Sequence, residues 1–312
     1  MSMRLKYALV GSAAGLALLA AAAVVYGWHI YSSVRDTAAE VYEPIAPREY
    51  VSRDPEVSNG GGVEPAAIGG KHPFSVVVMG VDEREGDRGR SDTIIVLAVN
   101  PDKNSILMFN IPRDTRTEIV GHGTTDKINH AYAFGGAEMS KSTIETFLDY
   151  PIDYYVTINM EGFAKLIDLL GGVEVNNPFA FDYSGITFNE GPLKLNGEEA
   201  LLYSRMRYED PRGDLGRNGR QRDVLVQVMK RTLSFTSILQ VQKLLDQLGS
   251  SVRTNITFDE MKRFMAEYRS GLKRIETVEI GGRGQTIGGV WYYIVPDEER
   301  NRIHDLLKEQ LQ

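Results

Sequence analysis

One stretch near the start limits what this chain can be. From Tyr7 to Tyr31 there is no Asp, Glu, Lys or Arg, and from Ala13 to Val25 every residue is Ala, Leu or Val except one Gly. About 20 apolar residues suffice to cross a bilayer as a helix. The run exceeds the roughly 7–15 residue core of a cleaved signal peptide. Arg4 and Lys6 flank it on one side, while Tyr7, Tyr26, Trp28 and Tyr31 suit the two interfacial belts. The positive flank predicts that residues 1–6 stay in the cytoplasm, that 7–31 is a single-pass anchor in the cell membrane, and that the rest lies outside. The competing reading is a leader cut near Ala20–Ala23; the length of the run favours the uncleaved anchor.

Residues 32–72 read as a flexible tether. They hold Pro44, Pro47, Pro55 and Pro65 and the run Asn59-Gly60-Gly61-Gly62, with no sustained helical or strand period. The folded domain is expected over 73–312. Phe74–Val81 reads as a buried strand. Thr93–Val99 and Ser105–Ile111 read as an antiparallel hairpin about the turn at Asn100–Asn104. Helices are expected over Gly136–Leu148, over Glu161–Leu170 with a stop at Gly171-Gly172, over Gly197–Tyr203 and over Leu215–Leu233. A strand is expected at Ile152–Ile158. Further on, Ile238, Leu244, Leu245 and Leu248 share a helical face. Thr257 and Glu260 form a capping box. Strands follow at Ile275–Ile280 and Val290–Val295, then a helix carrying Ile303, Leu306 and Leu307. Interspersed strands and helices with a hairpin predict one α/β (α+β) domain, with a central mixed sheet flanked by helices.

A net charge of -7 argues against a nucleic-acid partner, whose proteins usually carry a basic domain. The chain has no cysteine, which excludes disulfides, thiolate metal sites and a cysteine nucleophile.

Three stretches carry candidate chemistry. The first is the charged loop from Asp82 to Asp92. If its flanking strands are neighbours, both carboxylates meet at one edge of the sheet, an arrangement able to hold Mg²⁺ beside substrate phosphates. Taken alone, the loop reads first as a solvated turn. The second is Ile111-Pro112-Arg113-Asp114-Thr115, where Arg113 emerges at a sheet end or merely pairs with Asp114. The third is the segment 205–222, which holds six arginines (Arg205, Arg207, Arg212, Arg217, Arg220 and Arg222) and no lysine. Arginine alone suggests bidentate binding of phosphate or carboxylate oxygens, against the alternative of an internal arginine–carboxylate lattice. Arg217, Arg220 and Gln221 fall at i, i+3 and i+4 on one helix face. Gly216 and Gly219 suit a close ligand approach to the backbone. Lys127 is a further phosphate cation, and His130 reads as a structural histidine.

These pieces, in this order, resemble the LytR-CpsA-Psr family. The matching stretches are Val78–Asp82, Arg90–Ile94, Asn110–Thr115, Lys127–Tyr132, Leu170–Val175, Ala200–Arg207 and Asp214–Arg222. The resemblance covers about residues 74–235. It implies a phosphotransferase that moves a glycopolymer, such as wall teichoic acid or capsular polysaccharide, from an undecaprenyl-type diphosphate carrier to peptidoglycan. The bond implied is a phosphodiester to the C6 hydroxyl of N-acetylmuramic acid. It further implies Asp82 and Asp92 as ligands of Mg²⁺ (or Mn²⁺) and Arg90 and Arg113 as catalytic. Arg205, Arg207, Arg217 and Gln221, joined by Lys127 and Arg220, are implied as diphosphate binders; the role of Arg84 stays open. The rivals are a hydrolase of lipid diphosphates and a non-catalytic envelope regulator.

Overall fold

The computed structural model describes residues 32, 35–36, 38–45, 50, 52–58, 72–83, 86–234, 238–268 and 274–312. The expected anchor over 7–31 lies outside them, as does Arg84. Among the described residues no helix is long and apolar enough to cross a membrane.

In chain order the strands begin with β1 (Phe74–Val81), β2 (Ser91–Asn100), β3 (Ser105–Asn110), β4 (Arg116–Ile119) and β5 (Thr124–Lys127). Helix α1 (His130–Leu148), β6 (Tyr154–Asn159) and α2 (Met160–Leu169) follow. Next come four short strands, β7 (Val173–Asn177), β8 (Phe181–Tyr183), β9 (Ile186–Phe188) and β10 (Gly191–Leu195). Helices α3 (Gly197–Arg205), α4 (Asp214–Leu233) and α5 (Ile238–Leu248) then lead to β11 (Val252–Thr254) and α6 (Phe258–Glu267). The chain closes with β12 (Arg274–Val278), β13 (Arg283–Ile287), β14 (Val290–Ile294) and α7 (Asp297–Leu311).

Six strands form the central sheet in the order β11-β6-β1-β2-β3-β12. β1 runs antiparallel to β2 and parallel to β6, while β12 lies parallel beside β3, so the sheet is mixed. Alternation on β1 and β2 feeds two cores. Val77, Met79, Val81 and Val96 face Ile144 and Phe147 of α1 and Ile303 and Leu307 of α7. Val76, Ile95 and Leu97 face Leu225, Val226 and Met229 of α4, with Tyr268 beside them. Apolar residues on both faces explain why these strands read as continuous hydrophobic runs. A third cluster of Val173, Phe181, Phe188, Leu195, Tyr203 and Val228 packs the short strands against α3 and α4.

Local signals fix the helix ends. Asn196 with Glu199, and Thr257 with Glu260, close capping boxes at α3 and α6. Gly171 and Gly172, at φ 78° and 90°, end α2 as expected. One boundary differs by more than two residues. The helix expected from Gly136 begins at His130, with a kink where Gly136 takes φ 65° and ψ −151°.

Two described pieces of the expected tether lie on the domain. Ala38 and Val41 are buried with Leu245, and Tyr42 makes a parallel bridge to Thr254, extending the sheet beyond β11. Farther on, Tyr50 Oη donates to Asp149 at 2.8 Å, and Lys308 Nζ of α7 lies 2.6 Å from Asp54. Backbone pairing and buried apolar contacts hold the first piece, and hydrogen bonds and ion pairs the second, none of them visible in a proline-rich composition.

Candidate active site

The C-terminal ends of β1 and β3 and the start of β2 meet at one edge of the sheet. The charged loop between β1 and β2 folds back there: the backbone N–H groups of Asp82 and Asp92 both donate to the Arg90 carbonyl at 3.1 Å. One carbonyl therefore holds the two acids side by side. Gly89 makes this return feasible, since at φ 70° a Cβ on it would fall 2.0 Å from the Asp82 carbonyl oxygen. A cleft of about 480 Å³ opens at this edge, lined by Asp82, Asp92, Arg90, Arg113, Asp114 and Lys127, with Asp87, Asn129, His130 and Ala133 completing its wall.

Arg113 follows β3 through Pro112. Its Nη1 lies 2.9 Å from Asp92 Oδ1, and Asn129 Nδ2 donates to the same oxygen at 3.3 Å. Lys127 Nζ sits 2.7 Å from Asp114 Oδ1. Burial opposes the charge on Arg113, but Asp92 and Asp114 outweigh it and hold its pKa above the ordinary guanidinium value. Even so, Arg113 Nε is buried without a hydrogen bond among the described residues.

A second, smaller cleft of about 230 Å³ shares Asp114 and is lined by Arg207, Arg212, Asp214, Trp291 and Tyr293. Arg217 lies beside it in the first turns of α4, with only 7% of its side chain exposed. Burial pushes its pKa down, Asp214 opposes that, and Arg113 and Arg207 repel it further. Its Nη2 comes within 2.6 Å of Asp214 Oδ1, yet among the described residues neither atom makes a hydrogen bond, and Nε has none either. The approach is close but misaligned. A buried charged donor left unsatisfied costs more than the ~1–3 kcal/mol of a neutral one. Converging Arg113, Arg207 and Arg217 thus form a site that gains from an anion.

The structure brings together Asp82, Arg90, Asp92, Arg113 and Lys127 in the first cleft and Arg207 in the second. It does not bring Arg205 or Arg220. Arg205 is exposed at the end of α3 and lines neither cleft. Arg220 is 3% exposed, pairs with Asp210, and donates Nε to the Tyr203 carbonyl at 3.0 Å. It is an internal lattice arginine that lines neither cleft, and its expected diphosphate role draws no support from this geometry. Gln221 accepts from Asn110 Nδ2 at 3.4 Å, and Arg222 donates to Asn110 Oδ1 at 3.0 Å, so both tie α4 to the end of β3. Gly216 is corrected: a Cβ there would meet the Asp210 carboxylate at 2.0 Å, so the close neighbour is the protein's own acid. Sequence reasoning missed Asp87, Asn129 and Asp214 as site residues. Asp214 had a signal in its place at the head of an arginine-rich helix.

Fold and clefts together define a class: a three-layer α/β domain whose sheet edge carries a cleft walled by interleaved carboxylates and cations. The chain belongs to the LytR_cpsA_psr family, whose model matches residues 29–309. It is similar to a protein of Halalkalibacterium halodurans named polyisoprenyl-teichoic acid–peptidoglycan teichoic acid transferase TagU, at 48% identity over 310 residues and 99% of each chain. The crystal structure of B. subtilis TagU superposes with a TM-score of 0.64 at 44% identity, over 78% of this chain and 98% of that one. A structure of TagT bound to LIIa-WTA gives a TM-score of 0.67 at 29% identity, over 78% and 92%.

Proposed function

We propose that this protein transfers a teichoic-acid-type anionic glycopolymer from a polyprenyl diphosphate carrier to peptidoglycan, forming a phosphodiester at the C6 hydroxyl of N-acetylmuramic acid. The observation that carries the reading is Arg217: a buried guanidinium with unsatisfied N–H groups, next to Arg113 and Arg207. A diphosphate supplies the acceptors these donors lack, in the bidentate geometry arginine favours. The relatives' names supply the polymer and the acceptor.

In this reading the acceptor hydroxyl attacks the phosphorus bearing the glycopolymer, and the polyprenyl phosphate leaves. Arg113, Arg207 and Arg217 hold the diphosphate and stabilise the charge that builds on its oxygens. Arg90 and Lys127 flank them. Asp82 and Asp92 fit a hard divalent cation, Mg²⁺ or Mn²⁺. Among the described residues there is no trio of His, Cys, Asp or Glu placed to hold a metal. A cation held by two carboxylates and completed by substrate phosphates is how Mg²⁺ is often bound. Bound there, it supplies Lewis-acid neutralisation of phosphate charge. The anchor over 7–31 places the domain outside the cell membrane, where the lipid carrier and peptidoglycan meet.

The test uses the full-length protein in detergent with Mg²⁺, a synthetic lipid-diphosphate-linked glycan and uncrosslinked peptidoglycan, beside Asp92→Ala. Metal-dependent polymer on the peptidoglycan, lost in the variant, is expected. Phosphorylated glycan released without attachment would make the protein a hydrolase.

A further inference from the structure

The transfer reaction needs a destination for the proton of the attacking hydroxyl, and the arginines, already protonated, provide none. His130 does. It is the first residue of α1 and lines the cleft together with Ala133, one turn along the same helix. Its Nδ1 lies 2.7 Å from Asp126 Oδ2. Asp126 is itself fixed, since Oδ1 accepts the Lys127 N–H at 2.7 Å. Burial would raise the Asp126 carboxyl, but the bonds from His130 and from the Lys127 backbone outweigh it and hold the pKa below the usual carboxylate range. An ionised carboxylate only accepts, so the hydrogen of the neutral imidazole sits on Nδ1. Nε2 is then the basic nitrogen, and among the described residues it has no protein partner. The edge of Phe134, 6.1 Å away between ring centroids, packs beside the ring. The preceding residue, Asn129, donates to Asp92, so the histidine and the acid share one short framework.

We infer that His130 is the general base of the transfer and that Asp126 is its positioning residue. This rests on the reading of the cleft as a phosphotransferase site. The hydroxyl oxygen of the acceptor sugar bonds to the glycopolymer-bearing phosphorus as its O–H proton passes to His130 Nε2. The bond from that phosphorus to the bridging oxygen breaks, and the polyprenyl phosphate departs with the electron pair. Asp126 balances the imidazolium until the proton returns to solvent. The arrangement repeats the logic of base and orienting acid found wherever a hydroxyl must be activated. A histidine serving only to order the first turn of α1 would not need to line the cleft.

The experiment measures transfer to peptidoglycan by the full-length protein and by His130→Ala, His130→Gln and Asp126→Asn, with and without added imidazole. General-base catalysis contributes on the order of 10²–10⁴-fold. His130→Ala and His130→Gln should each lose about that much. Imidazole should restore His130→Ala, which leaves room for it, and not His130→Gln, which fills the space. Asp126→Asn should lose less and should gain nothing from imidazole. A His130→Ala rate within about twofold of wild type overturns the inference. So does a loss that imidazole leaves unrelieved. Absence of transfer by the wild-type protein would instead overturn the functional reading, before any variant is compared.

Discussion

At the scale of single residues, the arginines of one cluster divide into two kinds. Arg220 is paired and bonded on every side, while Arg217 is buried beside a misaligned partner. Their substitutions should therefore diverge. Arg220→Met leaves Asp210 buried and uncompensated, and should cost about 3–5 kcal/mol of stability in a denaturant titration. Arg217→Met removes an unsatisfied buried charge; its unfolding midpoint should stay close to wild type while lipid-diphosphate binding is lost. Arg113→Ala should lower the transfer rate on the order of 10²-fold or more, as removal of a donor to transition-state charge does. A near-normal steady-state rate would remove Arg113 from the reaction. Much of this was legible in the sequence: an arginine-only segment pointed to an anion, and the acids at 82 and 92 pointed to one sheet edge. The division between Arg217 and Arg220 was not. Helix spacing places both on one face and both are buried; only the tertiary position of Asp210, in the turn before α4, decides which of them is fully paired.

At the scale of elements, Gly216 gives the sharpest case. Helix propensity alone predicts that Gly216→Ala stabilises α4 by roughly 1 kcal/mol. The Asp210 carboxylate lies 2.0 Å from where that methyl would go. Displacing it disturbs the pair with Arg220, so the substitution should instead destabilise by about 1–3 kcal/mol, read as a shift in thermal midpoint. The long elements were readable because each carries a period or a cap: the apolar runs of β1 to β3, the glycines after α2, the capping box of α6. The short polar strands β4 and β5 show no alternation, with Thr124–Lys127 holding no apolar residue at all. They exist because they pair with each other, from Arg116 with Lys127 to Ile119 with Thr124. That pairing matters to the site, since it sets Lys127 in the cleft wall and Asp126 against His130.

At the scale of the whole molecule, the mixed sheet between two helical layers was expected; the return of β12 to lie beside β3 was not, because nothing local signals a long-range partner. Nor did composition show that parts of 32–58 dock. The contact of Asp54 with Lys308 and with His304 of α7 is electrostatic and only partly buried. The hydrogen bond from Lys308 leads in drawing the Asp54 carboxyl down from 3.8 to about 2. A lowered folded-state value means the contribution is complete above the ordinary value and fades as pH falls from about 4 to about 2. Proteolysis near residues 50–58 should therefore quicken in that window, and at high salt near neutrality, while the central sheet stays protected.

The docking of Ala38 has a further consequence for where the enzyme searches. Should the uncharged run ending at Tyr31 lie in a bilayer, as its length predicts, six residues, 32–37, separate the membrane surface from the folded body. The step from 31 to 38 spans at most about 25 Å. A domain held so close finds lipid-borne ligands by lateral diffusion in two dimensions, at a local concentration fixed by the short leash. A flexible spacer of about 40 residues inserted between 31 and 38 should slow transfer in vesicles by diluting that local concentration. In detergent, where the search is three-dimensional for either form, the rates should coincide.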